Sequence, residues 1–201
     1  MIKICVFASG NGSNFQSIYN STKLDSNIGE VVLFISNNPD CNAVEFARNN
    51  NIRIKLVNKI NQSADILQLM IESKIDLVLL AGYIKKIPNK IVEQYHRKIL
   101  NIHPSLLPKY GGKGFFGIKV HEAVIASGDT VTGVSVHFVN KNYDEGPIVR
   151  QKIIPVLPND NAYTLAARVL KEEHKIYPKV IRAYCENRII WIDDKPEMLN
   201  N

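Results

Sequence analysis

From Ile2 to Ile102 the chain alternates short apolar runs with helical stretches, and no other feature constrains the fold as strongly. Ile2–Ala8 reads as a buried strand, Asn14–Leu24 as a helix, Val31–Ser36 as a second strand and Cys41–Asn49 as its helix. Arg53–Val57, Ser63–Lys74, Leu77–Ala81, Pro88–Tyr95 and Ile99–Ile102 continue the series. A strand that must return parallel to its predecessor needs a crossover, and a helix supplies it. The series therefore predicts an α/β fold: an open, mostly parallel twisted sheet with helices on both faces.

The second half changes character. Lys109–Gly117 is a glycine-rich loop, Ile118–Ser127 a helix, and Val131–Val139 can pair with Ile148–Pro155 through the Asn140–Pro147 loop. That pairing gives the sheet an antiparallel C-terminal part. A long helix over Ala162–Glu186, with a disturbance expected near Pro178, precedes a small strand at Ile189–Ile192. No repeat or linker interrupts residues 1–201, so a single domain is expected, with a nucleotide- or phosphate-binding half over 1–103 and a second half over 104–201.

Composition removes several classes of function. The longest uncharged apolar run, Leu77 to Ala81, is too short to span a bilayer, and Met1 leads directly into a strand. Cys5, Cys41 and Cys185 lack metal-ligand spacing, so no metal is expected, and their odd number fits a reducing, cytoplasmic setting. The net charge of +6 lacks the aromatic interleaving of a nucleic-acid surface and suits small anionic ligands.

Chemistry concentrates in five places. Asn101 and His103, two residues apart at a strand end and followed by Pro104, can point to one side of the strand. An amide beside an imidazole can stabilise the oxyanion of an acyl transfer, although a lone histidine is more often a satisfied structural residue. Ser9-Gly10-Asn11-Gly12-Ser13-Asn14 joins strand to helix, where small residues and helix-start N–H groups favour a phosphate. The plainer alternative is a tight turn with Ser13 or Asn14 as N-cap. Asp144 is either a turn residue or a carboxylate near His103 that raises its pKa and keeps it protonated. Glu173 falls on the apolar stripe of the long helix beside His174, so it either pairs with a structural cation or faces a pocket that receives an amine. Gly82-Tyr83-Ile84-Lys85-Lys86-Ile87 leaves the most apolar strand and is either a solvated connector or the lining of a cleft for a flat heterocycle.

Taken together, Ser9–Asn14, Leu80-Ala81-Gly82-Tyr83, Leu100–Pro108, Ser135–Val139 with Asp144, and Glu173-His174 resemble the phosphoribosylglycinamide formyltransferase family. The resemblance implies a Rossmann-like formyltransferase fold and transfer of a formyl group from 10-formyltetrahydrofolate, the co-substrate, to the amine of glycinamide ribonucleotide in purine synthesis. It implies that Asn101, His103 and Asp144 are catalytic. Gly12, Ser13, Asn14 and Glu173 would hold the ribonucleotide. Ile84, Lys85, Lys86, Ile87, Asn101 and, by a loose alignment, Lys59 would contact the folate. Lys85 and Lys86 stand where family members often carry arginine, and Gly111–Gly117 reads as a mobile cover over the folate cleft. Other formyltetrahydrofolate-dependent transferases or hydrolases are the nearest alternatives, and a non-catalytic phosphate-binding module is a third. The alternative transferase and hydrolase types carry additional domains, which are not expected here.

Overall fold

The computed structural model describes residues 1–57 and 63–199. Seven strands form a sheet: β1 (Lys3–Phe7), β2 (Glu30–Ser36), β3 (Arg53–Leu56), β4 (Leu77–Leu80), β5 (Ile99–His103), β6 (Val131–Phe138) and β7 (Ile148–Pro155). Their order is β3-β2-β1-β4-β5-β6-β7. The pairs among β1 to β5 are parallel, and β6 pairs with β7 antiparallel. The helices are α1 (Ser13–Leu24), α2 (Asn42–Asn49), α3 (Ser63–Glu72), α4 (Asn89–Gln94), α5 (Ile118–Ser127) and α6 (Ala162–Cys185). This is the mostly parallel, Rossmann-like α/β architecture expected from the alternation.

The chain gathers into two compact units, Met1–Asn101 and Ile102–Asn201. In the first, β4 is buried throughout and β1 is buried from Ile4 to Phe7, as parallel strands covered on both faces must be. Phe15 of α1 stacks on Phe34 of β2 with ring centroids 4.7 Å apart, and Phe46 of α2 meets Phe15 edge-on at 5.2 Å. Such aromatic pairs add about 1 kcal/mol each beyond their buried area.

In the second unit α6 packs on β6, β7 and α5. Pro178 lies inside α6, and the helix runs on past it to Cys185, close to the expected end at Glu186. Leu165 and Val169 before it, and Val180 and Ile181 after it, are all fully buried, so packing on both sides holds the helix through the missing N–H. Asn161 caps its start by accepting from the N–H groups of Tyr163 and Thr164.

The sequence reading also omits one strand. Ile189–Ile192 (β8) pairs antiparallel with Lys195–Met198 (β9) across Asp193 and Asp194, whose φ values are 46° and 60°. Two consecutive left-handed residues make the turn whose twist suits a hairpin, and aspartate tolerates that conformation.

Candidate active site

β5 ends at His103, which is only 4% exposed. Its Nδ1 lies 3.6 Å from Oδ2 of Asp144, and its Nε2 lies 2.8 Å from the carbonyl oxygen of Tyr110. A carbonyl only accepts, so that contact places the ring proton on Nε2. Asp144 reaches a second imidazole, with Oδ1 3.6 Å from Nε2 of His137, while the Gly112 N–H donates to Oδ2 at 2.9 Å. Nδ1 of His137 in turn donates to the Phe138 carbonyl at 2.9 Å. One carboxylate thus bridges two buried imidazoles, and each ring keeps its other nitrogen on a backbone carbonyl.

The local sequence builds this cluster. Asp144 adopts φ +56°, and two residues later a Cβ at Gly146 would lie 1.8 Å from the Phe138 carbonyl oxygen. Only glycine permits that close approach, which folds the turn back on β6. The β6–β7 register shifts between Val136 and His137, an irregularity of the kind that re-aims a side chain. Ser135 receives the Leu107 N–H at 3.0 Å and donates to the Ser105 carbonyl at 2.6 Å, which ties the segment after His103 to β6.

Electrostatics corrects one expectation. Burial pulls the His103 pKa down, and this outweighs the upward pull of Asp144 and of the Tyr110 carbonyl. Asp144 does pull the ring toward its charged form, as expected, but the net direction is downward. Burial acts to raise the Asp144 carboxyl, but the bond to His137, the charge of His103 and the Gly112 N–H together hold it below its usual range. His121 on α5, also 4% exposed, is pushed down to about 4 by burial and by His103.

Glu173 is 7% exposed on α6, on the same buried face as Val169, Ile176 and Val180.

In the first unit, the loop after β1 starts α1 with Gly12 as N-cap, at φ 73° and with no side-chain cap. Ser13 and Asn14 are therefore the first helical residues, which corrects the capping alternative. A Cβ on Gly12 would come 2.7 Å from Cβ of Ala43, so α2 packs directly against this loop. Ser9 Oγ donates to Asn37 at 2.5 Å and accepts the Ile84 N–H at 3.1 Å, tying the loops after β1, β2 and β4 together.

At the carboxyl ends of these strands lies a cavity of about 1080 Å³. Phe7, Val57, Ile66, Tyr83 and Ile87 supply its apolar wall, and Lys85 and Lys86 line it as well. Ile84 is not among its lining residues. Its side chain is exposed, and its N–H is taken by Ser9. Asn101 is half-buried in β5, two residues before His103. Lys59 lies outside the described residues.

Gly112 and the Tyr110 carbonyl escaped the sequence reading, and His137 entered it only within the Ser135–Val139 segment, with no role of its own. His137 had a signal: Gly133, Ser135 and His137 form the polar row of β6, opposite Thr132, Val134, Val136 and Phe138. Backbone partners such as Gly112 have none.

A Rossmann-like sheet whose parallel strand ends on a buried imidazole–carboxylate pair has the parts of an acyl-group transferase. The family model described as formyl transferase matches residues 2–181. A chloroplastic phosphoribosylglycinamide formyltransferase of Vigna unguiculata is 46% identical over 96% of this chain, which spans 64% of that relative's length. The Haemophilus influenzae phosphoribosylglycinamide formyltransferase is 35% identical, with 94% of this chain and 90% of the relative covered. The crystal structure of glycinamide ribonucleotide transformylase 1 from Symbiobacterium toebii superimposes with a TM-score of 0.91 at 33% identity, covering 100% of this chain and 95% of that one. The chain belongs to the formyl transferase family, in its phosphoribosylglycinamide formyltransferase branch.

Proposed function

We propose that this chain transfers a formyl group from 10-formyltetrahydrofolate to the amine of glycinamide ribonucleotide. The observation that carries the reading is the buried His103 at the end of β5, 3.6 Å from the half-buried Asp144 carboxylate. Family membership favours this reaction over the hydrolase and binding-module alternatives.

On this reading the amine nitrogen attacks the formyl carbon, a C–N bond forms, and the carbonyl electrons move onto oxygen. Asn101 and His103 donate hydrogen bonds to that oxyanion. The proton lost by the attacking amine enters the His103–Asp144–His137 cluster and leaves the His103 ring cationic. As the bond from carbon to N10 breaks, that cationic ring gives a proton to N10, and the cluster ends with the proton count it started from. Asp144 stabilises the ring whenever it becomes cationic, which matters because burial disfavours that charge.

Gly12, Ser13 and Asn14 take the phosphate, and Glu173 takes the amine end. Lys85, Lys86 and Ile87 serve the folate, supported by the cavity they line. Ile84 contributes through its surroundings, since its N–H is held by Ser9. No metal takes part in this scheme. Three free cysteines suit a reducing, cytoplasm-like compartment, and no described helix is long and apolar enough to cross a membrane.

The test compares formyl transfer to glycinamide ribonucleotide by the wild type and by His103→Ala. Activity in the first and its loss in the second supports the reading. Equal inactivity, with phosphate ligands still bound, removes it.

A further inference from the structure

We propose that Tyr110 is a positioning residue for the reaction: its carbonyl keeps the His103 proton on Nε2, and a network on its side chain holds that carbonyl in place. The proposal rests on the transfer reaction proposed above, because it concerns the proton that reaction delivers.

His103 faces two competing acceptors. Asp144 alone would draw the ring proton to Nδ1, the arrangement in which a carboxylate orients a histidine by accepting from the nearer nitrogen. The Tyr110 carbonyl lies closer, at 2.8 Å against 3.6 Å. Were the proton on Nδ1, the Nε2 lone pair would face the carbonyl lone pairs at that distance, which is repulsive. The carbonyl therefore selects the Nε2–H tautomer. It keeps the donor proton on the nitrogen directed away from the acid, where a substrate oxygen can take the place of the Tyr110 oxygen.

That carbonyl is held with unusual care for a loop. Tyr110 has φ +56°, a conformation that non-glycine residues adopt only when their surroundings hold them there. Its hydroxyl lies 2.7 Å from Oδ2 of Asp129 and 2.6 Å from Oγ of Ser127, at the end of α5. Lys109 Nζ donates to both Asp129 oxygens, at 2.7 and 2.6 Å, and sits 5.3 Å from the Tyr110 ring centroid. The Lys109 carbonyl is fixed in turn by the Ser105 hydroxyl at 2.6 Å. Backbone on one side of Tyr110 and side chain on the other are thus both anchored.

The experiment reads the tautomer directly. Nitrogen-15 spectra of the histidine-labelled full chain are recorded at pH 8 for the wild type, Tyr110→Phe, Asp129→Asn and Asp129→Glu, with His103→Asn to assign the signal. The wild type is expected to be mainly Nε2–H. Tyr110→Phe and Asp129→Asn should shift the population toward Nδ1–H and lower kcat about tenfold with both KM values unchanged, and Asp129→Glu should recover much of each. If Tyr110→Phe or Asp129→Asn fails to fold, Ser127→Ala gives the same reading in smaller measure. An unchanged tautomer in these variants overturns the proposal, as does a drop in melting temperature with kcat intact. A rise in kcat also overturns it, because the carbonyl would then be an inhibitory cap. A wild type that transfers no formyl group defeats the proposed reaction, while the tautomer comparison still reports on Tyr110.

Discussion

The loop Ser9–Asn14 and the cluster around His103 are built from opposite materials. The loop relies on backbone, small residues and neutral hydrogen bonds, such as those of Ser9 to Asn37 and Ile84. The cluster buries two imidazoles around a half-buried carboxylate and satisfies them with one another and with backbone groups. A backbone site depends on shape and survives many side-chain changes. A titratable site depends on which proton sits where, so a single atom can disable it.

Substitutions should expose that difference. His103→Ala is expected to lower turnover about a thousandfold with little change in either KM, the range of a lost acid–base group. Asp144→Asn should follow it, with turnover falling more than ribonucleotide binding weakens. A large rise in ribonucleotide KM at equal turnover would move Asp144 from the chemistry to binding. Glu173→Ala should weaken ribonucleotide capture about thirtyfold, the scale of a lost charged partner, and leave folate affinity intact. Titration calorimetry with each ligand separates the two.

Gly12→Val tests the loop by shape alone. At φ 73° and with Ala43 at 2.7 Å, any side chain must displace the backbone, so the ribonucleotide KM should rise about tenfold at nearly constant kcat. Stability against pH tests the buried side. The His121 pKa is about 4 when folded and near its ordinary 6.5 when unfolded, so the unfolded chain binds the extra proton first. The stabilisation is complete above pH 6.5 and is lost as pH falls toward 4, on the order of 3 kcal/mol. His121→Gln should flatten urea-measured stability over that window, and an unaltered slope would assign the pH dependence elsewhere. The smallest effect belongs to Lys86→Ala, with a two- to threefold rise in folate KM, about what an exposed charge contributes, and it should vanish in high salt.

Much of this arrangement was legible without coordinates, for reasons specific to each element. Strands β1, β4 and β5 are apolar because both their faces are covered, so they appear as runs. Asn101 and His103 appear because two polar groups close such a run just before a proline. Glu173 appears because a carboxylate interrupts the apolar stripe of α6. The hairpin of β8 and β9 stayed hidden because its second strand, Lys195–Met198, carries two charges and a proline, and only its partner makes it a strand. His137 was visible as a polar row but had no partner in the sequence, since Asp144 reaches it only through the turn at Gly146.

The sequence alone determined the alternation of strand and helix, and with it the parallel sheet, because local periodicity is written in neighbouring residues. It also determined which residues could do acid–base chemistry. Only the tertiary structure decided the state of those groups. Whether His103 is charged, and which nitrogen holds its proton, follow from burial and from a carbonyl seven residues along the chain. Desolvation and hydrogen-bond geometry are properties of the packed surroundings, and no run of neighbouring letters encodes them.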